Sequence, residues 1–308
     1  MKKFTCFGEV LWDVFPTYKK IGGAPLNVAL RLQSLDNEVA ILSSVGNDER
    51  GRALLDYIIQ NGLDVSCIEV SDKFKTGKVK VILNDKGSAF YDIEYPRAWD
   101  NIKITQESIN LVKQSDGFVF GSLAARDDFS RKTLYGLIEH AKFKIFDLNL
   151  RSPYYTREVL SYLMNKADFI KFNDDELYEV CKNEGSKHLS LEQNIRYISK
   201  KTNTNNICVT KGRHGAVLMY DGKFYYNSGY LIKVIDTVGS GDSFLASLIN
   251  KLLKNKDPQE AIDFACAVGA LVAKSEGANP KITKERINKF INPDSNTPNL
   301  LTHKKNDL

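Results

Sequence analysis

Long apolar runs are missing from this 308-residue chain. No stretch approaches the roughly 18 to 20 consecutive apolar residues that a bilayer-spanning helix needs, so no membrane partner is expected. Cysteine is sparse: Cys6, Cys67, Cys181, Cys208 and Cys266 are odd in number, far apart, and form no CxxC pair. A disulfide framework is therefore excluded, and free thiols in a reducing compartment fit better. The four histidines, His140, His188, His214 and His303, are scattered, which removes a Cys/His zinc site. A basic tract is absent too. The net charge of +5 is spread over isolated pairs such as Lys2-Lys3 and Lys200-Lys201, so a nucleic-acid partner is not expected. No Gly-x-Gly-x-x-Gly follows the first predicted strand, which speaks against a dinucleotide-dependent oxidoreductase, and no Walker A sequence is present. The first residues pass into a predicted strand without an apolar leader, and a cytoplasmic protein is expected.

What is present is an ordinary globular composition, 43% hydrophobic and 26% charged. Residues 4–14 read as a strand, and Gly22-Gly23 then opens a helix carrying Val28, Ala29, Leu32 and Leu35. Residues 38–44 read as a strand and 51–60 as a helix, and this alternation predicts parallel crossovers. Residues 76–84 and 88–95 break the pattern: two β-rich runs joined by Asp85-Lys86-Gly87-Ser88 predict a hairpin outside the parallel core. It reads as an excursion that covers the site. Beyond residue 101 the alternation resumes, with strands at 117–121, 144–149, 168–173 and 206–210 and a hairpin of 215–220 with 223–227. Helices are predicted after Asp242 and over 258–275, and the tail 292–308 reads as disordered or a loose surface strap. The predicted fold is a three-layer α/β architecture with ligands at the carboxyl ends of the strands.

One stretch organises the rest: Asp236-Thr237-Val238-Gly239-Ser240-Gly241-Asp242-Ser243-Phe244. Residues 230–235 before it are apolar and β-branched, a predicted strand. After it, Phe244, Leu245, Leu248, Ile249, Leu252 and Leu253 recur on one helical face. The amides of Gly239, Ser240 and Gly241 at a helix start form a cradle for an anion. Asp242, on its rim, is placed to take a proton from an attacking hydroxyl. The same turn also reads as an ordinary capped helix start. A second glycine-asparagine cluster, Gly22-Gly23-Ala24-Pro25-Leu26-Asn27, argues for more than a cap.

Together these two segments resemble the paired signatures of the ribokinase-like (PfkB) carbohydrate kinases. Further matches lie at Val45-Gly46-Asn47-Asp48-Glu49-Arg50-Gly51, Asn173-Asp174-Asp175-Glu176 and Thr210-Lys211-Gly212, in the family's order, over residues 4–290. The resemblance implies a ribokinase-like fold: a main domain of residues 1–12, 23–73 and 99–308, and a β lid of residues 13–22 and 74–98 over a sugar. Many members pair their lids, so a homodimer through the lid is implied as well. Asp242 is implied as the catalytic base, with Gly239, Ser240 and Gly241 as the anion hole. Arg151, in Asp147-Leu148-Asn149-Leu150-Arg151, is implied to face the phosphates, and the alternative is a surface arginine. Asp13, Gly22, Gly23 and Asn27 are implied around the sugar hydroxyls. For magnesium-ATP the resemblance implies Asn173 and Glu176, acting on Mg2+ largely through water, although this spacing equally makes a capping box. Thr210, Gly212, Gly277 and Asn279 are implied on the nucleotide side, and Asp236 as a side-chain ligand of potassium.

The runs Gly8-Glu9-Val10-Leu11-Trp12-Asp13-Val14-Phe15-Pro16 and Pro96-Arg97-Ala98-Trp99-Asp100 look more like fructokinases than ribokinases. The implied reaction is ATP-dependent conversion of fructose to fructose 6-phosphate. Ketodeoxygluconate, ribose and nucleoside kinases stand as alternatives, with a catalytically dead sugar sensor behind them. Trp99 and Tyr95 either pack on the sugar or close the lid's own small core.

Overall fold

The computed structural model describes residues 1–83 and 89–293. The predicted turn at residues 85–88 and the tail from 294 lie outside the described residues. Among the described residues the strands are β1 (Lys3–Phe7), β2 (Leu11–Val14), β3 (Lys19–Gly22), β4 (Glu38–Gly46), β5 (Ile68–Ser71), β6 (Gly77–Leu83), β7 (Ala89–Ile93), β8 (Gly117–Gly121), β9 (Lys144–Asp147), β10 (Phe169–Asn173), β11 (Ile207–Thr210), β12 (Ala216–Tyr220) and β13 (Lys223–Asn227). The helices are α1 (Ala24–Ser34), α2 (Glu49–Gln60), α3 (Gln106–Gln114), α4 (Asp128–Ile138), α5 (Arg157–Lys166), α6 (Asp174–Asn183), α7 (Leu191–Thr202), α8 (Ser240–Leu253), α9 (Pro258–Ala273) and α10 (Lys284–Ile291).

Nine strands form the main sheet in the order β13-β12-β11-β10-β9-β8-β1-β4-β5. Pairing is parallel from β11 to β5, and only the β11-β12-β13 end is antiparallel. Neighbouring residues on one strand enter opposite cores. Phe118 and Phe120 join a cluster with α3 to α7, while Val119, between them, joins one with α1, α2, α8 and α9. Both faces are covered, which is why these strands read as continuous apolar runs. The three-layer α/β expectation holds.

Connections from β1 run to β4 on one side, and those from β8 run to β9 on the other. The sheet therefore has its topological switch point between β1 and β8, where open α/β sheets bind ligands beyond the strands' carboxyl ends. At that point the chain leaves the sheet. Residues 4–14 are not one strand, because Gly8 has φ +141° and a Cβ there would lie 2.8 Å from Pro25 Cγ. Past this break, β2 belongs to a second sheet of order β3-β2-β6-β7. Its base is held by Asp48, whose carboxylate accepts from Gly51 N at 2.8 Å, Thr76 N at 3.0 Å and Thr76 Oγ1 at 2.7 Å.

A second correction falls before α8. Residues 230–235 form no strand; they run as coil, with Leu231, Val234 and Ile235 exposed. Their β-branched composition fits a strand, but the sheet ends at β13 and these residues instead border a cleft. No helix of the described residues is long and apolar enough to cross a membrane.

Candidate active site

Gly239 opens α8 with φ +73°, and a Cβ on it would lie 2.5 Å from Ala278 Cβ. Only glycine fits this turn. The Ser240 amide donates to Thr237 O at 3.2 Å, and its hydroxyl to Gly269 O at 3.0 Å. Ser240 is thus tied to the turn and to α9, and its amide is not free as expected. The amides of Gly239, Gly241 and Asp242 have no acceptor among the described residues, as the first turn of a helix leaves them. The open cradle is therefore shifted along the chain to include Asp242's own N–H.

Asp242 sits beside that cradle. Asn27, in the first turns of α1, donates from Nδ2 to Asp242 Oδ2 at 2.8 Å, and Asn279 Nδ2 donates to Asn27 Oδ1 at 2.8 Å. Burial and the nearby Asp147 charge push the Asp242 carboxyl up to about 6, against the opposing pull of Asn27, Lys171 and Arg151. It remains a carboxylate at neutral pH, with enough basicity to accept a hydroxyl proton. Asn279 was expected on the nucleotide side, but its side chain lies in this chain of amides leading to Asp242.

Beneath the cradle is a pair that the sequence reading missed. Lys171 Nζ donates to Asp147 Oδ1 at 2.9 Å, with both side chains buried. A Cβ on Gly241 would be 3.7 Å from that ammonium, so the glycine brings the backbone down onto the charge. Burial alone would lower the Lys171 pKa, but Asp147, Glu176 and Asp242 outweigh it and hold the ammonium above its ordinary range. The only hint in the sequence was a lysine inside the apolar run Phe169-Ile170-Lys171-Phe172.

The second sheet supplies the opposite wall. Asp13 on β2 turns its carboxylate toward Gly22, where a Cβ would fall 2.4 Å from Asp13 Oδ2. Gly23, with φ +113°, passes so close to Glu9 that a Cβ would meet the Glu9 carbonyl at 2.3 Å. Glu9 is 3% exposed, and burial pushes its carboxyl up to about 7, opposed by backbone amides and Arg151. Asp13 is pushed to about 6 by burial, opposed by Arg151 and Lys20. Arg151 is exposed at the rim, and its charge acts on Glu9, Asp13 and Asp242 alike. Asp13, Glu9, Asn27, Arg151 and Asp242 therefore converge. Trp99 does not reach them: it is fully buried with the Arg126 guanidinium 3.9 Å from its ring centre, and Tyr95 is exposed.

On the other side of the cradle lies a cleft of about 950 Å3, large enough for a nucleotide. Thr210 and Gly212 at the end of β11, Asn173 at the end of β10, and Ser240 and Gly241 border it, and Gly277 and Asn279 do not. Asn173 and Glu176 form a reciprocal capping box, Glu176 N to Asn173 Oδ1 at 2.7 Å and Asn173 N to Glu176 Oε2 at 2.8 Å. Glu176 Oε1 also accepts from Leu150 N at 2.9 Å. Asp236 is likewise engaged: it accepts from Val238 N at 3.0 Å, Gly277 N at 3.1 Å and Lys20 Nζ at 3.3 Å.

A family model described as pfkB family carbohydrate kinase matches residues 2–285. The chain belongs to this family. It is a carbohydrate kinase by descent. The chain is 29% identical to probable fructokinase-7 of Arabidopsis thaliana, over 89% of this chain and 88% of that one. It is 27% identical to a fructokinase of Vibrio alginolyticus, over 92% and 97%. A sugar kinase of Pyrococcus horikoshii solved with ATP superposes with a TM-score of 0.80 at 26% identity, over 92% and 96%. A double-mutant fructokinase of Vibrio cholerae O395, solved with fructose, ADP and potassium, shares the fold with a TM-score of 0.82 at 22% identity, over 94% and 98%.

Proposed function

We propose that this pfkB-family kinase transfers the γ-phosphoryl group of ATP to the primary hydroxyl of fructose, giving fructose 6-phosphate. The observation that carries the reading is Asp242, held by Asn27 between the open amides of α8 and the wall formed by Asp13 and Glu9. Fructose as the sugar is supported by fructokinases recurring among relatives that match nearly end to end.

Phosphoryl transfer passes through a loose transition state, so the protein's work is to position groups and balance charge. Asp242 orients the sugar hydroxyl and takes its proton. The amides of Gly239, Gly241 and Asp242 receive the phosphoryl oxygens, with the Lys171 ammonium behind them and Arg151 at the rim. Asp13 and Glu9 hold sugar hydroxyls, with paired donors and acceptors that reject analogues lacking a hydroxyl. The second sheet, residues 13–22 and 74–98 with the adjoining β2, acts as a lid over that sugar, and its open edge pairs with a second copy in a homodimer.

Magnesium fits as part of the nucleotide rather than as a resident ion. Among the described residues, no group of three or more His, Cys, Asp or Glu side chains is placed to hold a metal ion. Asn173 and Glu176 present oxygen donors already shared with backbone amides, suited to an ion that keeps its waters. Bound there, it would neutralise charge on the phosphates. Potassium fits less well, because Lys20 already stands on the Asp236 carboxylate. ADP release with magnesium-ATP against fructose, ribose, glucose, ketodeoxygluconate, fructose 6-phosphate and adenosine tests the proposal. Fructose should lead, and a clear preference for another member would remove fructose while leaving the kinase.

A further inference from the structure

Arg31 is 3% exposed and has no carboxylate partner among the described residues. Its Nε donates to Ser243 Oγ at 3.2 Å, Nη2 to Pro280 O at 3.0 Å and Nη1 to Ser34 Oγ at 3.4 Å. Burial lowers its pKa to about 10. A buried guanidinium without a counter-charge is costly, and an apolar side chain of similar bulk would serve packing better. Ser34 is on α1 itself, Ser243 is on α8, which already packs on α1 through apolar side chains, and Pro280 lies in the loop after α9.

Asn27 and Arg31 are four residues apart on α1 and so lie one above the other on one face. Asn27 contacts Asp242 and Asn279; Arg31 contacts Ser243 and Pro280, the next residue of each segment. Two parallel rungs thus run from α1 to the first turn of α8 and to the loop after α9. The upper rung ends on Asp242. The lower rung touches no reacting group and fixes the two segments that the upper rung connects. A guanidinium suits this place because its rigid fork reaches a hydroxyl and a carbonyl in set directions.

We infer that Arg31 is a positioning residue for phosphoryl transfer, holding the α8 turn and the 279–280 loop in register so that Asn27 keeps Asp242 aligned. This inference rests on Asp242 being the base, and its test separates the two.

The experiment compares wild type with Arg31→Met, Arg31→Lys and Arg31→Ala on whichever sugar the wild type turns over. In Arg31→Met, kcat should fall on the order of 100-fold, the scale of a misplacement of about 1 Å, while both KM values stay within about threefold. Arg31→Lys should recover part of this, and about 20 mM guanidinium should restore Arg31→Ala by about tenfold, since it returns the missing fork. The acid limb of kcat/KM should also move to higher pH, because Asn27 no longer favours the Asp242 carboxylate. Hydrogen exchange gives an activity-independent reading: the hydrogen-bonded amides of Ser240 and Ser243 in the α8 turn and of Gly277 in the loop after α9 should exchange at least about tenfold faster in Arg31→Met, with the rest of α8 unchanged. A folded Arg31→Met protein with wild-type kcat, or with unchanged exchange in those two segments, overturns the inference. Loss of activity without guanidinium rescue and with exchange raised everywhere overturns it too, by showing a general stability role. If no sugar is turned over, the proposed function fails while the exchange result still decides on the brace.

Discussion

Replacing Lys171 with methionine removes the cation from beneath the cradle and leaves Asp147 buried alone. The two side chains are 7% and 6% exposed, and Asp147 Oδ2 already has no hydrogen-bond partner. Removing one member of such a pair costs about 3 to 5 kcal/mol, because the survivor keeps its desolvation penalty. Replacing both members by apolar side chains is often near neutral, so Lys171→Met/Asp147→Leu should return to within about 1 kcal/mol of wild type. Urea unfolding of the three proteins, with m-values compared, measures both steps. The kinetic consequence is separate. Lys171 lowers the Asp242 pKa, which stands at about 6. The base works as a carboxylate, so activity falls as pH drops through that value; without the ammonium the fall should begin at higher pH. If Lys171→Met loses less than about 1 kcal/mol, or the double variant is as unstable as the single, the account of the buried pair is wrong.

Two further predictions concern the walls of the site. In Gly22→Ala the new Cβ would meet Asp13 Oδ2 at 2.4 Å, so the carboxylate must swing away; the sugar KM should rise by about tenfold or more with the ATP KM unchanged, and equal changes in both would refute the assignment of Asp13. Because Lys20 occupies Asp236, wild-type rates in sodium-only and potassium buffers should agree within about twofold, whereas Lys20→Met should become potassium-dependent; strong potassium activation of the wild type would contradict this.

The elements that set the fold were legible because their causes are local. Continuous apolar runs such as Phe118-Val119-Phe120 mark strands buried on both faces, and the Gly22-Gly23 and Gly239-Ser240-Gly241 turns mark helix starts. What sequence hid was set by distant parts of the chain. Residues 230–235 have strand composition, yet no neighbouring strand receives them. Lys171 and Asp147 meet across 24 residues, and Arg31 meets Ser243 across 212. Family resemblance of Gly277-Ala278-Asn279 implies Asn279 beside the nucleotide, but a contact 252 residues away draws its side chain to Asn27. Ser240 lies in the glycine turn, yet its amide is taken by Thr237 O. Spacing reveals turns and faces; it does not reveal partners.

The most direct test of the central claim is product formation by Asp242→Asn. The amide keeps the shape and the contact with Asn27 but cannot accept the proton. With fructose and magnesium-ATP, wild type should release ADP and fructose 6-phosphate in equal amounts, while the variant binds both substrates and turns over at least about 1,000-fold more slowly. A variant that phosphorylates fructose at the wild-type rate would contradict Asp242 as the base, and with it the reading of the whole site.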